Sequence, residues 1–210
     1  MSNNNTVLRL YKSRRTILNM MKNIGFEIKN DEFFSINEVD AMYKNNQLDI
    51  LLKDQNDSKK VYIKYKIDGN FDKVTIDNIV EDLYLIENVL KKSDCLIIII
   101  EENDKPNKKI LEYLDYLYKK EGLFIVIHTL KRLQFNILEH TLVPKMRILS
   151  STEVEELTKK LNIKEISKQL PEIGRYDPHA LALCMRPGEV GEILRNSITA
   201  IDYKYYRVCV

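Results

Sequence analysis

The sequence predicts an α/β N-terminal domain with a mixed sheet over residues 1–140 and a small α+β C-terminal module with paired strands over residues 141–210. Two continuous apolar runs, at residues 96–100 and 123–127, are typical of strands that are covered on both faces. A helical pattern lies between them. A strand, a helix and a strand within roughly 30 residues form a crossover whose two strands are parallel.

The N-terminal domain is predicted to begin with an amphipathic helix. Apolar residues recur at spacings of three and four from Thr6, the predicted N-cap, to Gly25, which stands where a helix C′ glycine belongs. Arg14 and Arg15 fall on the opposite, solvated side of this helix, where contact with phosphate is the alternative to simple solvation. Residues 26–28 and 33–36 look like short extended pieces.

A hairpin with one basic side follows. Residues 47–53 and 60–66 flank a turn-rich segment and read as two paired strands. In the second strand, apolar residues alternate with Tyr62, Lys64 and Lys66, so one side of the strand is basic and aromatic.

Further helices surround the buried strands. Helical spacing of apolar residues predicts helices over residues 75–92 and 107–121, and Gly122 closes the second of them. Residues 133–138 look like a last strand of this domain. The result is a mixed sheet with helices packed against it.

The C-terminal module is organised around residues 170–179, a run with two prolines and no apolar period. Because proline disfavours the helical conformation in the residue before it, Leu170 and Asp177 are predicted to be extended corners. Asp177 is also predicted to bond within its own turn. Ser150, with Glu153 three residues later, is a capping-box candidate for a short helix before this run.

The remainder of the module is compact and strand-rich. Residues 180–185 indicate a short apolar helix or turn, and residues 190–195 and 203–210 alternate like paired strands. A module of about 70 residues encloses little core, which is a physical reason to expect a partner surface.

Charge and motifs exclude several function classes. The formal net charge is +2, with 11 basic and 9 acidic residues from Thr141 onward and 22 of each before it, which is too balanced for a protein that coats DNA. Glycine-rich phosphate-binding motifs and paired Cys-x-x-Cys motifs are absent from the sequence. We therefore predict no cofactor, no metal and no small-molecule substrate.

Cysteine, histidine and hydropathy patterns add to these exclusions. Three scattered cysteines are predicted to be buried free thiols in a reducing compartment. His128, His140 and His179 have no recognisable nucleophile partner, and His179 is interpreted as a structural histidine. Without a signal peptide or an apolar run near 18 residues, the chain is expected to be intracellular and to have no membrane partner.

Two other functions remain open at this point. A metal-dependent nuclease is suggested by Asp49 and Lys64 on neighbouring strands, although Tyr62 stands where a second metal-binding acid is required. An exposed ion pair between Asp49 and Lys64 is the structural alternative. A stand-alone nucleic-acid-binding module would use Tyr62, Lys64 and Lys66 together with the paired arginines of the first helix.

The C-terminal module resembles the fifth shared subunit of eukaryotic nuclear RNA polymerases and is similar to its small archaeal polymerase counterpart. The match is ordered and is carried by residues 142–145, 170–171, 177–178, 186–190, 193–195, 197 and 206–209. The N-terminal domain resembles the family in length, element order and its opening helix. Met146 stands where the family has a second histidine, and Thr152 where it often has an acid. These departures, with an Asn-, Lys- and Ile-rich composition, suggest a distant member from a virus or a protist.

The resemblance implies a polymerase component without its own active site. Its C-terminal module would dock on the largest RNA polymerase subunit beside neighbouring small subunits. Its N-terminal domain would form part of the lower jaw near downstream DNA, in the nucleus of a cell or, for a virus, in the virion or host cytoplasm. The docking residues that the resemblance implies are Pro144, Asp177, Pro178, Gly188, Arg195, Ser197 and Arg207. Possible DNA-proximal residues are Arg14, Arg15, Lys64 and Lys66.

Overall fold

The chain folds into two compact units, Met1–Asn136 and Ile137–Val210. The structure, a computed structural model, describes residues 2–28, 34–54, 59–69, 71–101, 106–195 and 203–210. The elements of the first unit are α1 (Ser2–Ile24), β1 (Phe26–Glu27), α2 (Ile36–Lys44), β2 (Ile50–Asp54), β3 (Lys60–Lys66), α3 (Lys73–Val80), β4 (Cys95–Ile100), α4 (Lys108–Glu121) and β5 (Phe124–Thr129).

The first unit is built on a five-stranded mixed sheet in the order β1-β2-β3-β4-β5. β1, β2 and β3 pair antiparallel, whereas β3, β4 and β5 pair parallel. Every residue of β4 and β5 is buried, as continuous apolar strands require. The predicted hairpin, the parallel crossover and the mixed sheet are therefore confirmed, and residues 55–58 of the predicted turn lie outside the described residues.

Helix α4 shows how local sequence sets an element's bounds. The Asn107 side chain accepts a hydrogen bond from the Ile110 N–H and caps the first turn. Gly122 ends the helix in the left-handed conformation, with φ of 75°, which glycine adopts without steric cost. The predicted bounds of this helix are confirmed.

Four local predictions for this unit are wrong. Helix α1 begins at Ser2, before Thr6. The extended piece predicted over residues 33–36 stops at Ser35, which has an extended backbone with ψ of 165° and forms a capping box with Glu38, so Ile36 already belongs to α2; Phe33 lies outside the described residues. The helix predicted over residues 75–92 begins after Asp72, whose carboxylate caps Thr75, and ends in a π-helical turn, Glu81–Ile86.

The fourth error is the strand predicted over residues 133–138. This segment contains two 3₁₀ turns, Arg132–Gln134 and Ile137–Glu139. The Gln134 side chain in the first of these turns donates to the carbonyl of Leu130 and to the carbonyl of Arg9 in α1, which is distant in sequence.

The second unit is a four-stranded sheet in the order β6-β8-β9-β7. β6 and β9 both pair antiparallel with β8, and β7 pairs parallel with β9. Its elements are β6 (Lys145–Ile148), α5 (Ser151–Leu161), α6 (Ile166–Gln169), β7 (Glu172–Ile173), α7 (Pro178–Ala182), β8 (Val190–Arg195) and β9 (Tyr203–Cys209). The mixed secondary structure and the paired strands β8 and β9 confirm the predicted fold class.

Each face of this sheet carries its own small core. On the α5 face, Val190 and Val208 pack with Leu157 of α5, Leu149 and Leu170. On the α7 face, the buried cluster consists of Ile173, Ala180, Met185 and Cys209, with Met146 and Ile148 packed against it. Because side chains alternate along strands, Gly191, Ile193 and Arg195 of β8 share the α7 face with Tyr205 and Arg207 of β9.

The proline run connects the two faces. Leu170 is extended, with ψ of 144°, and the Pro171 carbonyl accepts from the Val208 N–H at 2.9 Å. Asp177 is also extended, with ψ of 137°, and its carboxylate accepts from the His179 N–H at 2.8 Å. Both predicted corners and the local bond of Asp177 are confirmed. Helix α7 begins at Pro178, earlier than the apolar pattern indicated, because proline suits the first helical position.

A buried carboxylate joins three elements on the α5 face. Glu192 accepts from Arg147 Nε at 3.0 Å, from Lys204 Nζ at 3.1 Å and from the Tyr206 hydroxyl at 3.2 Å. Arg147 also pairs with Glu153, the acid of the confirmed capping box at Ser150. Burial raises the pKa of Glu192, but the hydrogen bonds and charges of Lys204 and Arg147 outweigh it and hold the pKa below 4.5.

Glu192→Gln should therefore weaken the fold at neutral pH and reduce its acid sensitivity. A carboxyl group whose pKa is lower in the folded than in the unfolded state stabilises the fold at pH values above its unfolded-state pKa. This stabilisation is lost as the pH falls through its folded-state pKa. We expect the difference in urea midpoint between wild type and variant to be largest near pH 7 and to shrink below about pH 4.5. Glu155→Gln, at an exposed position on α5, is the control. If the urea midpoints of wild type and Glu192→Gln differ by the same amount at every pH in this range, the lowered pKa of Glu192 is contradicted.

Candidate partner-binding groove

The α7 face of the C-terminal sheet contains an open groove of about 240 Å³. It lies beside helix α7 on the sheet face that carries Ile193 and Arg195 of β8 and Tyr205 and Arg207 of β9. The residues that line this α7-face groove are Pro144, Ile173, Asp177, His179, Ile193, Arg195, Tyr205 and Arg207. Apolar side chains form much of its wall, and two guanidinium groups supply positive charge.

Four predicted docking residues come together here, namely Pro144, Asp177, Arg195 and Arg207. Pro144 directly precedes β6, and Asp177 caps α7. Arg195 and Arg207 belong to the neighbouring antiparallel strands β8 and β9. Side chains alternate along a strand, so Arg195 lies on the same face as Ile193, and Arg207 on the same face as Tyr205. Strand alternation therefore positions both cations without any special loop.

The other predicted docking residues have different places. Pro178 is exposed at the first position of α7, next to the groove. Gly188 lies in the turn before β8 with φ of 92°, a conformation that favours glycine, and it does not line the groove. Ser197 lies outside the described residues.

Arg195 and Arg207 both keep N–H donors with which they could bind a ligand. Arg207 Nη1 donates to the Glu172 carbonyl at 3.3 Å, and its guanidinium lies 5.5 Å from the centre of the Tyr205 ring. A guanidinium has five N–H donors, so most of those on Arg207 are available. Arg195 is exposed and has no ion pair with any residue in the described ranges. Asp177 is already engaged with the backbone of α7.

His179 contributes a buried polar atom to the groove. Its Nε2 atom is inaccessible to solvent and has no hydrogen-bond partner among the residues that the structure describes. Burial lowers the pKa of His179, and the Asp177 carboxylate opposes this only partly, so the imidazole is neutral at pH 7. The sequence offered no signal for this orphaned nitrogen.

A second, wider hollow of about 820 Å³ adjoins the groove. Pro144 and Arg195 line both cavities, and the segment that precedes β6 forms most of the second wall. Leu142 in this segment is a large apolar side chain that is 85% exposed. Sequence reasoning missed Leu142, Ile193 and Tyr205 as lining residues, although strand alternation could have indicated the last two.

Comparison with known proteins decides the family. The family model for the RNA polymerase Rpb5 C-terminal domain matches residues 135–209. The chain is 52% identical over 77 residues to DNA-directed RNA polymerase subunit Rpo5 of Thermococcus kodakarensis, which covers 37% of this chain and 92% of that protein. The chain belongs to the Rpb5 family of RNA polymerase subunits. The resemblance noted in the sequence is thereby confirmed.

Other Rpb5-family relatives match the same short length. Rpo5 of Archaeoglobus fulgidus is 41% identical over 78 residues, which is 37% of this chain and the whole of that protein. Rpo5 of Pyrococcus horikoshii is 48% identical over 77 residues, again 37% of this chain and 92% of the relative. The matched residues 135–209 include every described residue of the α7-face groove.

In this Rpb5-family chain, one basic residue of the first unit is not on the surface. Arg14 is only 3% exposed, so the predicted solvated position is wrong. Its Nη1 donates to the Leu48 carbonyl at 2.8 Å, and its guanidinium lies 5.3 Å from the Phe34 ring centre. These contacts are made by residues distant in sequence, which helical periodicity cannot reveal. Arg14 is therefore removed from the DNA-proximal set, while Arg15 is exposed.

Asp49 is committed to structural bonds. Its carboxylate accepts from Lys64 Nζ at 2.7 Å, from the Tyr62 hydroxyl at 3.2 Å and from the Tyr65 N–H at 3.0 Å. Burial, and then the Asp49 charge, raise the pKa of Tyr62 and keep it a hydrogen-bond donor. The ion pair expected between Asp49 and Lys64 is confirmed, although it is partly buried instead of exposed. Lys66 is half-buried on the same strand.

Asp49→Ala should consequently destabilise the first unit. The change removes the shared acceptor of two partly buried donors and a backbone N–H, so we expect a loss of about 1–3 kcal/mol in the free energy of unfolding. Asp40→Ala, which breaks an exposed pair with Lys44, should cost less than about 0.5 kcal/mol. Urea titration measures both. Mg²⁺-dependent cleavage of duplex DNA that disappears in Asp49→Ala would instead restore the nuclease alternative.

The described residues contain neither a cluster of metal-ligand side chains nor a membrane-spanning helix. Within the described ranges, no three His, Cys, Asp or Glu side chains come together as ligands for a metal ion. Among the described helices, none is both long enough and apolar enough to cross a membrane. Cys95 and Cys209 are buried, Cys184 is half-buried, and all three are free thiols.

Proposed function

We propose that this chain is a structural subunit of a multisubunit DNA-directed RNA polymerase, without an active site of its own. Its C-terminal module, residues 141–210, docks on the largest polymerase subunit beside neighbouring small subunits. Its N-terminal domain, residues 1–140, forms a jaw-like body near downstream DNA. The site of action is that of the polymerase, which is the nucleus for a cellular enzyme and the virion or host cytoplasm for a viral one.

One observation carries this proposal. The family model covers residues 135–209, and the groove that collects four of the predicted docking residues lies wholly within that stretch. The relatives matched over this stretch are named as DNA-directed RNA polymerase subunits. An open groove with an apolar wall, two arginines and an aromatic ring has the composition of a protein-binding surface.

The direct test is affinity purification of the tagged full chain from its host. We expect the two largest subunits of an RNA polymerase to be recovered in amounts close to that of the bait. The same preparation should elongate RNA on a DNA template, whereas the purified chain alone should not. A preparation that contains the bait without large polymerase subunits would refute the proposal.

The proposed contact with downstream DNA is weak or indirect. The first 140 residues contain equal numbers of basic and acidic residues, so long-range attraction to DNA is small. Arg15, Lys64 and Lys66 are the remaining candidates for contact, and Lys64 is paired with Asp49. We expect the isolated chain to show negligible affinity for duplex DNA at physiological salt. Binding in the submicromolar range under those conditions would favour the stand-alone nucleic-acid-binding module.

A further inference from the structure

We propose that the α7-face groove binds an extended, acidic segment of another polymerase subunit, with a carboxylate held between Arg195 and Arg207. This inference rests on the proposed function and names the chemistry of the docked partner. It assigns the recognition to the two guanidinium groups and the apolar wall of the groove.

The charge distribution selects a negatively charged occupant. Arg195 and Arg207 line the groove together, and the carboxylate of Asp177 is occupied by the N–H of His179. Two guanidinium groups against the single carboxylate of Asp177 leave the described lining with a net positive charge, which favours a negatively charged ligand. The planar donor fork of arginine matches a carboxylate in two-bond geometry, which a lysine cannot reproduce.

The apolar lining favours a peptide over a nucleic acid. Pro144, Ile173 and Ile193 face the groove, and aromatic Tyr205 lies under the Arg207 guanidinium. A site for a phosphate backbone would be polar and basic along its length. Apolar pockets beside cations instead suit a chain in which an acidic residue alternates with apolar ones.

The first experiment compares polymerase recovery by tagged full-length variants. Arg207→Glu and Arg195→Glu should each reduce the affinity for the polymerase by at least about 30-fold, because each places a carboxylate opposite the bound one. Arg207→Lys should reduce it by about fivefold to tenfold, since the charge stays but the donor fork is lost. Lys160→Glu, an exposed reversal on α5, should bind like wild type.

The second experiment identifies the occupant. A photo-crosslinking phenylalanine replaces Tyr203, which is 55% exposed and stands opposite Arg195 in the strand register. After illumination of the assembled enzyme, we expect the crosslinked peptide to contain Asp or Glu within a few residues of the linked position. Changing that acid to lysine should rescue Arg207→Glu at least partly.

The outcomes separate the two proposals. If wild type recovers no polymerase, the proposed function fails. If wild type and both charge reversals recover polymerase equally, the function stands and the acidic-segment inference is wrong. Crosslinking to nucleic acid, or to a segment without a carboxylate, would also overturn the inference.

Discussion

Val208→Asp is expected to unfold the C-terminal unit and to abolish its association with the polymerase. Val208 is 2% exposed and packs against Val190, Leu149 and Leu157 in the core on the α5 face. A carboxylate there has no cation within the cluster, and an unpaired buried charge costs about 3–5 kcal/mol or more. At 74 residues the unit Ile137–Val210 encloses a small core, so it has little stability to lose.

The matched control is Val210→Asp, two residues further along the same chain end. Val210 is 46% exposed, so the same substitution should change the free energy of unfolding by less than about 0.5 kcal/mol. Hydrogen–deuterium exchange of the full chain measures the effect by segment. We expect Val208→Asp to lose protection across residues 145–195 while residues 95–129 keep it. Uniform loss over the whole chain would contradict the independence of the two units.

Ile98→Asp is expected to unfold the N-terminal unit and to leave the C-terminal unit folded. Ile98 is fully buried at the centre of β4, between Lys64 of β3 and Ile127 of β5 in the strand register. Both faces of this strand are covered, so an introduced carboxylate would be desolvated, and the neighbouring Lys64 ammonium is already paired with Asp49. We expect a loss of about 3–5 kcal/mol or more, with exchange protection lost over residues 95–129.

Polymerase recovery should survive Ile98→Asp, because the groove and both small cores lie in the other unit. Leu51→Asp, at a 42% exposed position on β2 of the same sheet, is the control for the charge itself. It should leave stability within about 0.5 kcal/mol of wild type. Complete loss of polymerase recovery in Ile98→Asp, with the C-terminal unit still protected, would show that the N-terminal domain is required for docking.

Local sequence signals predicted the elements that depend on local physics. The continuous apolar runs of β4 and β5 require burial on both faces, and Asn107 and Ser150 cap helices through bonds to residues three positions away. The same capping signal was present at Ser35 and Glu38 and was overlooked. In these cases the information lies within a few residues of the element it defines.

Features that depend on distant contacts were not predictable in this way. Arg14 is buried, and its guanidinium donates to the carbonyl of Leu48, 34 residues further along the chain. The spacing of apolar residues within the helix gives no information about that contact. Residues 133–138 overlap two 3₁₀ turns, and Gln134 there donates to the carbonyl of Arg9, 125 residues earlier in the chain. The groove was predictable in part, since strand pairing brings Arg195 and Arg207 to one face, but the orphaned nitrogen of His179 required the packed structure.

The most direct test is a binding titration of the full chain against polymerase that lacks its own copy of this chain. We predict saturation at one copy per enzyme, affinity within about threefold of wild type for Ile98→Asp, and no measurable binding for Val208→Asp. Equal binding by wild type and Val208→Asp, or failure of wild type to bind at all, would contradict it.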